Sequence, residues 1–112
     1  TRLRSRQRIG VFSDLRLMAL LTEDVESVDV FVNGTLGDLA FANPALQATV
    51  LTFINQQCNA ARAAKRLYLH RNTLISRLDT ARRLLPRPLE DNIVDVAVAI
   101  KILQWSNVHG DD

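Results

Sequence analysis

A chain of 112 residues with 47% hydrophobic content is long enough for one small domain with a buried core, and four Gly and three Pro exclude a loop-rich or disordered protein. Aromatic residues make up only 5%, so aliphatic side chains must fill that core. The net charge is +2, and the single cysteine, Cys58, excludes an internal disulfide and a cysteine-based metal site.

The chain starts at Thr1 rather than Met, which points to a fragment of a longer protein. The first residues alternate arginine with other types, and 1–9 reads as a flexible or truncated basic arm. No apolar run reaches the roughly 20 residues of a membrane span, and no signal peptide is visible. A soluble cytoplasmic setting without membrane contact is expected. Residues 10–112 read as one helical domain.

Ser13-Asp14 has the form of a helix start, with Leu15, Met18, Ala19 and Leu21 near one face. Thr22-Glu23-Asp24 is a second start signal. Val25, Val28 and Val32 follow at helical spacing, although β-branched residues favour strands. Gly34 and Gly37 are expected to end that segment. Asn43-Pro44 joins a capping side chain to a proline suited to the first helical position. Leu46, Val50, Phe53 and Ile54 then form an apolar face running toward Gln57. Cys58 is expected to be buried near that helix end. Asn59 breaks the helix and can cap the next one.

Residues 60–84 organise the rest. Alanines 60, 61, 63 and 64 favour helix and allow a neighbour to approach closely. Leu67 and Leu69 flank a turn, and His70 occupies the N-cap position of a second helix opened by Arg71-Asn72-Thr73. At about 100° per residue, Leu74, Leu78, Ala81 and Leu85 share one stripe. Asn72, Ser76, Asp79 and Arg83 lie opposite, with Arg71 and Thr73 on the flanks. This is the pattern of a helix-turn-helix. Its second helix, Arg71–Leu84, divides into a leucine face and a hydrogen-bonding, cationic face, as entry into a DNA major groove requires.

Pro86-Arg87-Pro88 is a firm stop, and Glu90-Asp91-Asn92 supplies acids and a candidate cap for a final helix. Ile93, Val96, Ile100 and Leu103 form one stripe of that helix. Val94, Ala97, Val98, Ile102 and Trp105 cover much of the rest, so it must be covered on most sides, part of it by a dimer contact if one forms. His109 is expected in a frayed tail. Repeated helix starts joined by short links imply an all-α fold, a small helical bundle containing a helix-turn-helix.

Charge follows the same division. Arg2, Arg4, Arg6, Arg8 and Arg16 form one basic block. Arg62, Lys65, Arg66, Arg71, Arg77, Arg82, Arg83 and Arg87 form another, with Lys101 apart. Between Leu17 and Ala61 there is no Lys or Arg. The second block is either a phosphate-contacting surface or a solvated helix face. No nucleophile–base constellation, phosphate loop, cofactor motif or metal spacing is present, so no enzymatic activity and no cofactor are expected.

The string Leu67-Tyr68-Leu69-His70-Arg71-Asn72-Thr73-Leu74, followed by Arg77-Leu78, closely resembles the C-terminal DNA-binding domain of PucR/CdaR-type bacterial transcriptional regulators. Leu46, Thr49, Val50 and Phe53 resemble the helix that precedes that signature, and Val11–Leu15 resembles the segment leading into it. Tyr68 stands where a generic helix-turn-helix often has glycine. Pro86-Arg87-Pro88 departs from the family's usual glycine-containing link. The resemblance implies sequence-specific binding of double-stranded DNA, a small-molecule sensor domain upstream, and homo-oligomers in the full-length regulator.

Within that reading Arg71 and Asn72 are the candidate base readers, for guanine and adenine respectively. Their alternatives are solvent exposure or a first-turn cap. Thr73 is a candidate phosphate contact, with a local backbone bond as its alternative, and Ser76 a candidate base-edge or phosphate contact. Arg77 either binds phosphate or pairs with an acid of the domain. Arg62, Lys65 and Arg66 are phosphate candidates on the first helix, and His70 is first a cap and second a phosphate contact. The rival from another class is a helical interaction or dimerisation module without DNA binding.

Overall fold

The computed structural model describes residues 25–109, which form five α-helices and two short 3-10 turns, with no strand among the described residues. The all-α expectation holds. The basic arm, the helix start at Ser13-Asp14, the cap at Thr22-Glu23-Asp24 and the Val11–Leu15 segment lie outside the described residues. The chain divides into two compact units, residues 1–31 and 32–112, with the boundary inside the first described helix.

That helix, α1, spans Val25–Leu36. Val28, Val32 and Leu36, four residues apart, are each buried. Helical period overrides the strand preference of valine. Gly34 does not end the helix but lies within it, exposed. The chain turns at Gly37, whose φ of 55° is left-handed, and a 3-10 turn follows over Gly37–Phe41. A Cβ on Gly37 would stand 3.0 Å from Pro86 Cδ and 3.3 Å from the Leu84 carbonyl oxygen. Glycine is therefore required here twice over, for backbone conformation and for close approach.

Helix α2, Pro44–Asn55, is capped by Asn43, whose Oδ1 accepts from the Ala45 amide at 2.7 Å. Val50, Leu51 and Phe53 are buried, and so are two polar side chains, Gln47 and Thr49. Gln47 Nε2 donates to the carbonyl of Leu39 at 2.8 Å, and at 3.2 and 3.3 Å to those of Ala40 and Ala42. It thus satisfies the open end of the preceding 3-10 turn from inside the core. Thr49 Oγ1 donates to the Ala45 carbonyl at 2.8 Å, so neither buried polar group is orphaned.

Helix α3 spans Ala60–Arg66 and helix α4 spans Arg71–Leu84. Helix α2 packs against α3, α4 and the last helix, and α3 packs against α4. At the end of α4, Leu85 turns extended and Pro86 prevents continuation. Leu89, 1% exposed, then plugs into the core as the first residue of a 3-10 turn, Leu89–Asp91. Arg82 of α4 forms an ion pair with Glu90 of that turn. The proline-rich link is thereby held on both sides.

Helix α5 spans Ile93–His109 and buries Val96, Ala99, Ile100 and Ile102. One expectation needs correction here. Asn92 is a candidate cap by sequence, but its Oδ1 is buried with no hydrogen-bond partner. His109 is the last residue of α5. Val94, 73% exposed, is the helix's one exposed large apolar side chain among the described residues, and Asp95, Gln104 and Ser106 are exposed as well.

Candidate nucleic-acid interface

The two-helix unit is set by local hydrogen bonds that can be traced residue by residue. Helix α2 ends with the Cys58 amide donating to the Phe53 carbonyl at 2.8 Å and the Gln57 amide to that of Ile54 at 2.9 Å. This Schellman closure requires a left-handed residue, and both Gln57 and Cys58 have φ of 59°. Cys58 is half-buried rather than buried. Asn59 then caps α3 as expected, its Oδ1 accepting from the Arg62 amide at 3.0 Å.

Helix α3 closes in the same manner. The Leu69 amide donates to the Ala64 carbonyl at 2.8 Å and the Tyr68 amide to that of Lys65 at 3.2 Å. Tyr68 is the left-handed residue, with φ of 57°. A side chain in that conformation costs about 1–2 kcal/mol relative to glycine. The Tyr68 side chain is 95% exposed, so burial returns none of it. Leu67 and Leu69 on either side are half-buried and pin the turn.

His70 opens α4. Its Nδ1 accepts from the Asn72 amide at 3.1 Å. An accepting Nδ1 requires a neutral ring with its proton on Nε2, which suits the positive end of a helix dipole. Ala63 and Ala64 are buried where α3 meets α4, which is what their small side chains permit. On the inner side of α4, Leu74, Leu78, Ala81 and Leu85 are 0%, 3%, 1% and 7% exposed. The leucine stripe is the buried one.

All nine candidate residues are on the surface: Arg62, Lys65 and Arg66 on α3, His70 at the cap, and Arg71, Asn72, Thr73, Ser76 and Arg77 on α4. Five of them line two open concavities, and His70, Arg71, Asn72 and Thr73 line neither. Arg62, Lys65 and Arg66 line one open concavity with Gln56 and Tyr68. Ser76 and Arg77 line another with Asn43, Ala45, Leu46 and Thr80. Arg77 forms no ion pair among the described residues. Arg82 is engaged by Glu90, and Arg83 donates to Thr80 Oγ1 at 3.3 Å.

Residues 60–84 carry seven Lys or Arg against one acid, Asp79, in a chain whose net charge is only +2. The positive charge is concentrated on the exposed surfaces of α3 and α4. Two exposed residues there, Tyr68 and Ile75, are not among the site residues that the sequence suggests. Ile75, 38% exposed, is the one large apolar group on the outer surface of α4. Its position on the wheel, one residue from Ser76 and off the leucine stripe, is the available signal.

A short capped helix, a pinned turn and a second helix with one buried and one polar cationic face define a helix-turn-helix domain of the kind transcription regulators use. The chain belongs to the family of the PucR C-terminal helix-turn-helix domain, whose model matches residues 46–102, just over half of the chain. It is similar to the purine catabolism regulatory protein of Bacillus subtilis (strain 168), at 39% identity over 70 residues. That alignment covers 60% of this chain and 13% of the relative. No solved structure matches it. The domain is thus the DNA-binding type of module found in transcriptional regulators, and not an enzyme.

Proposed function

We propose that this domain binds double-stranded DNA sequence-specifically, with α4 as the recognition helix in the major groove. The observation that carries the reading is the division of α4. Its leucine face is closed, while Arg71, Asn72, Thr73, Ser76 and Arg77 are all exposed on the most cationic part of the chain.

Arg71 and Asn72 read bases from the first turn, Arg by a bidentate contact to guanine and Asn by one to adenine. Each is worth about 1–3 kcal/mol of discrimination. Thr73 and Ser76 supply hydroxyls to a phosphate or base edge. Arg77, with Arg62, Lys65 and Arg66, holds phosphates and sets register. His70 keeps its capping role and presents its remaining N–H to the backbone. The domain works as part of a longer cytoplasmic regulator that forms homo-oligomers and carries its small-molecule sensor elsewhere. Similarity to the Bacillus purine catabolism regulatory protein supports genes of purine catabolism as the regulated class. The rival reading is a helical interaction module in which the apolar last helix recruits a partner or dimerises and the outer face of α4 is occluded; the polar, cationic character of that exposed face favours DNA. Ile75 alone among large apolar groups lies there.

The test is selection of duplexes from a random pool at two salt concentrations, with the wild-type chain beside an Arg71→Ala, Asn72→Ala double variant. A motif enriched by the wild type and lost in the double variant is expected. A folded chain that retains no duplex at low salt, even when dimerised by a fused coiled coil, refutes the reading.

A further inference from the structure

We propose that Tyr68 is a DNA-backbone contact, its phenol hydroxyl donating to a phosphate oxygen beside the groove that α4 enters. The inference rests on the reading of the domain as a duplex-DNA binder and adds a residue that reading does not contain.

The fold makes no use of this side chain. The Schellman closure of α3 uses only the Tyr68 amide, bonded to the Lys65 carbonyl at 3.2 Å. Glycine or asparagine adopts the required φ of 57° more readily than tyrosine. The ring is 95% exposed, more than any other large hydrophobic side chain among the described residues, and the hydroxyl has no hydrogen-bond partner among them. Backbone strain does not carry the argument by itself, because Gln57 and Cys58 share that conformation. The surroundings of Tyr68 decide it. Tyr68 lines one concavity with Arg62, Lys65, Arg66 and Gln56, so a phenol donor shares that surface with three cations. That set of groups suits an anionic, acceptor-rich ligand, and the phosphodiester backbone is such a ligand. The position, two residues before the cap of α4, puts Tyr68 at the end of α4 from which the candidate base readers project.

The experiment measures fluorescence anisotropy of the 112-residue chain on the selected duplex and on a scrambled duplex across a salt series. The variants are Tyr68→Phe, Tyr68→Gly and Lys65→Ala. Tyr68→Phe is expected to weaken binding about five- to tenfold on both duplexes alike, since a phosphate contact carries no sequence information. Its salt slope stays that of the wild type, because no charge is removed. Lys65→Ala lowers the slope by about 0.9. Tyr68→Gly should bind at least as weakly as Tyr68→Phe while melting no lower than the wild type, so its loss of affinity does not come from unfolding. Wild-type affinity in both Tyr68 variants overturns the contact and leaves the DNA reading standing. Wild-type affinity in Tyr68→Phe with a loss only in Tyr68→Gly overturns the hydroxyl assignment. A wild-type chain that binds neither duplex, even when dimerised by the fused coiled coil, overturns the DNA reading and this inference together.

Discussion

Gly37→Ala tests how the end of α4 is held. The new methyl group would stand 3.0 Å from Pro86 Cδ and 3.3 Å from the Leu84 carbonyl oxygen, and the residue would keep a φ of 55°. The left-handed backbone accounts for about 1 kcal/mol of the expected loss. Forcing a methyl into the occupied space adds about 1–2 kcal/mol. The sum, about 2–3 kcal/mol, is a large part of the roughly 4–12 kcal/mol available to a domain of this size. At about 4–8 °C per kcal/mol, the melting temperature should fall by roughly 10–20 °C. Thermal and urea unfolding followed by circular dichroism at about 222 nm, the helix band, give the number. Pro86→Ala separates the two terms, because it removes the Cδ contact and leaves the backbone term in place. The double variant should recover about 1 kcal/mol relative to the sum of the single variants. A loss below about 0.5 kcal/mol in Gly37→Ala, or no coupling to Pro86, would refute the close approach as the reason for glycine here.

Three further outcomes are expected. Gln47→Leu should destabilise by about 1–2 kcal/mol in the same assay, because the buried Leu39 carbonyl loses its 2.8 Å donor and the added apolar contact offsets only part of that loss. His70→Ala should lower stability by about 0.5–1 kcal/mol by leaving the Asn72 amide uncapped, whereas His70→Asp should retain it; equal losses in both would show that capping is not what His70 contributes. A double-mutant cycle on Arg82 and Glu90 should give a coupling of about 0.5 kcal/mol that fades in salt, since both side chains are substantially exposed.

The stretch from Asn43 to Leu85 was legible because its determinants are local. Asn43 and Asn59 cap within three residues, His70 caps within two, and the stripe Leu74, Leu78, Ala81, Leu85 follows from helical period alone. The exposure of Arg71, Asn72, Thr73 and Ser76 follows from the same period, since a helix with one closed leucine face must turn its other side outward. Even the left-handed turn at Tyr68 was marked by the glycine that other helix-turn-helices place there.

The tertiary structure decided what depends on contacts distant in sequence. Gly34 and Gly37 look alike in the chain; one sits in α1 and the other makes the turn, because only Gly37 meets Pro86. Gln47 is buried in α2 because the 3-10 turn, a separate element, presents three carbonyls to it. Asn92 has the composition of a cap, and its Oδ1 is buried without a hydrogen-bond partner instead. Arg82 reads as one more cation of the basic block, but Glu90, brought back by the Pro86-Arg87-Pro88 link, engages it. Hydrogen bonds within a few residues and a helical period of about 3.6 residues are written into neighbouring positions. Which surfaces meet depends on how separate elements are brought together, and that is settled only by packing.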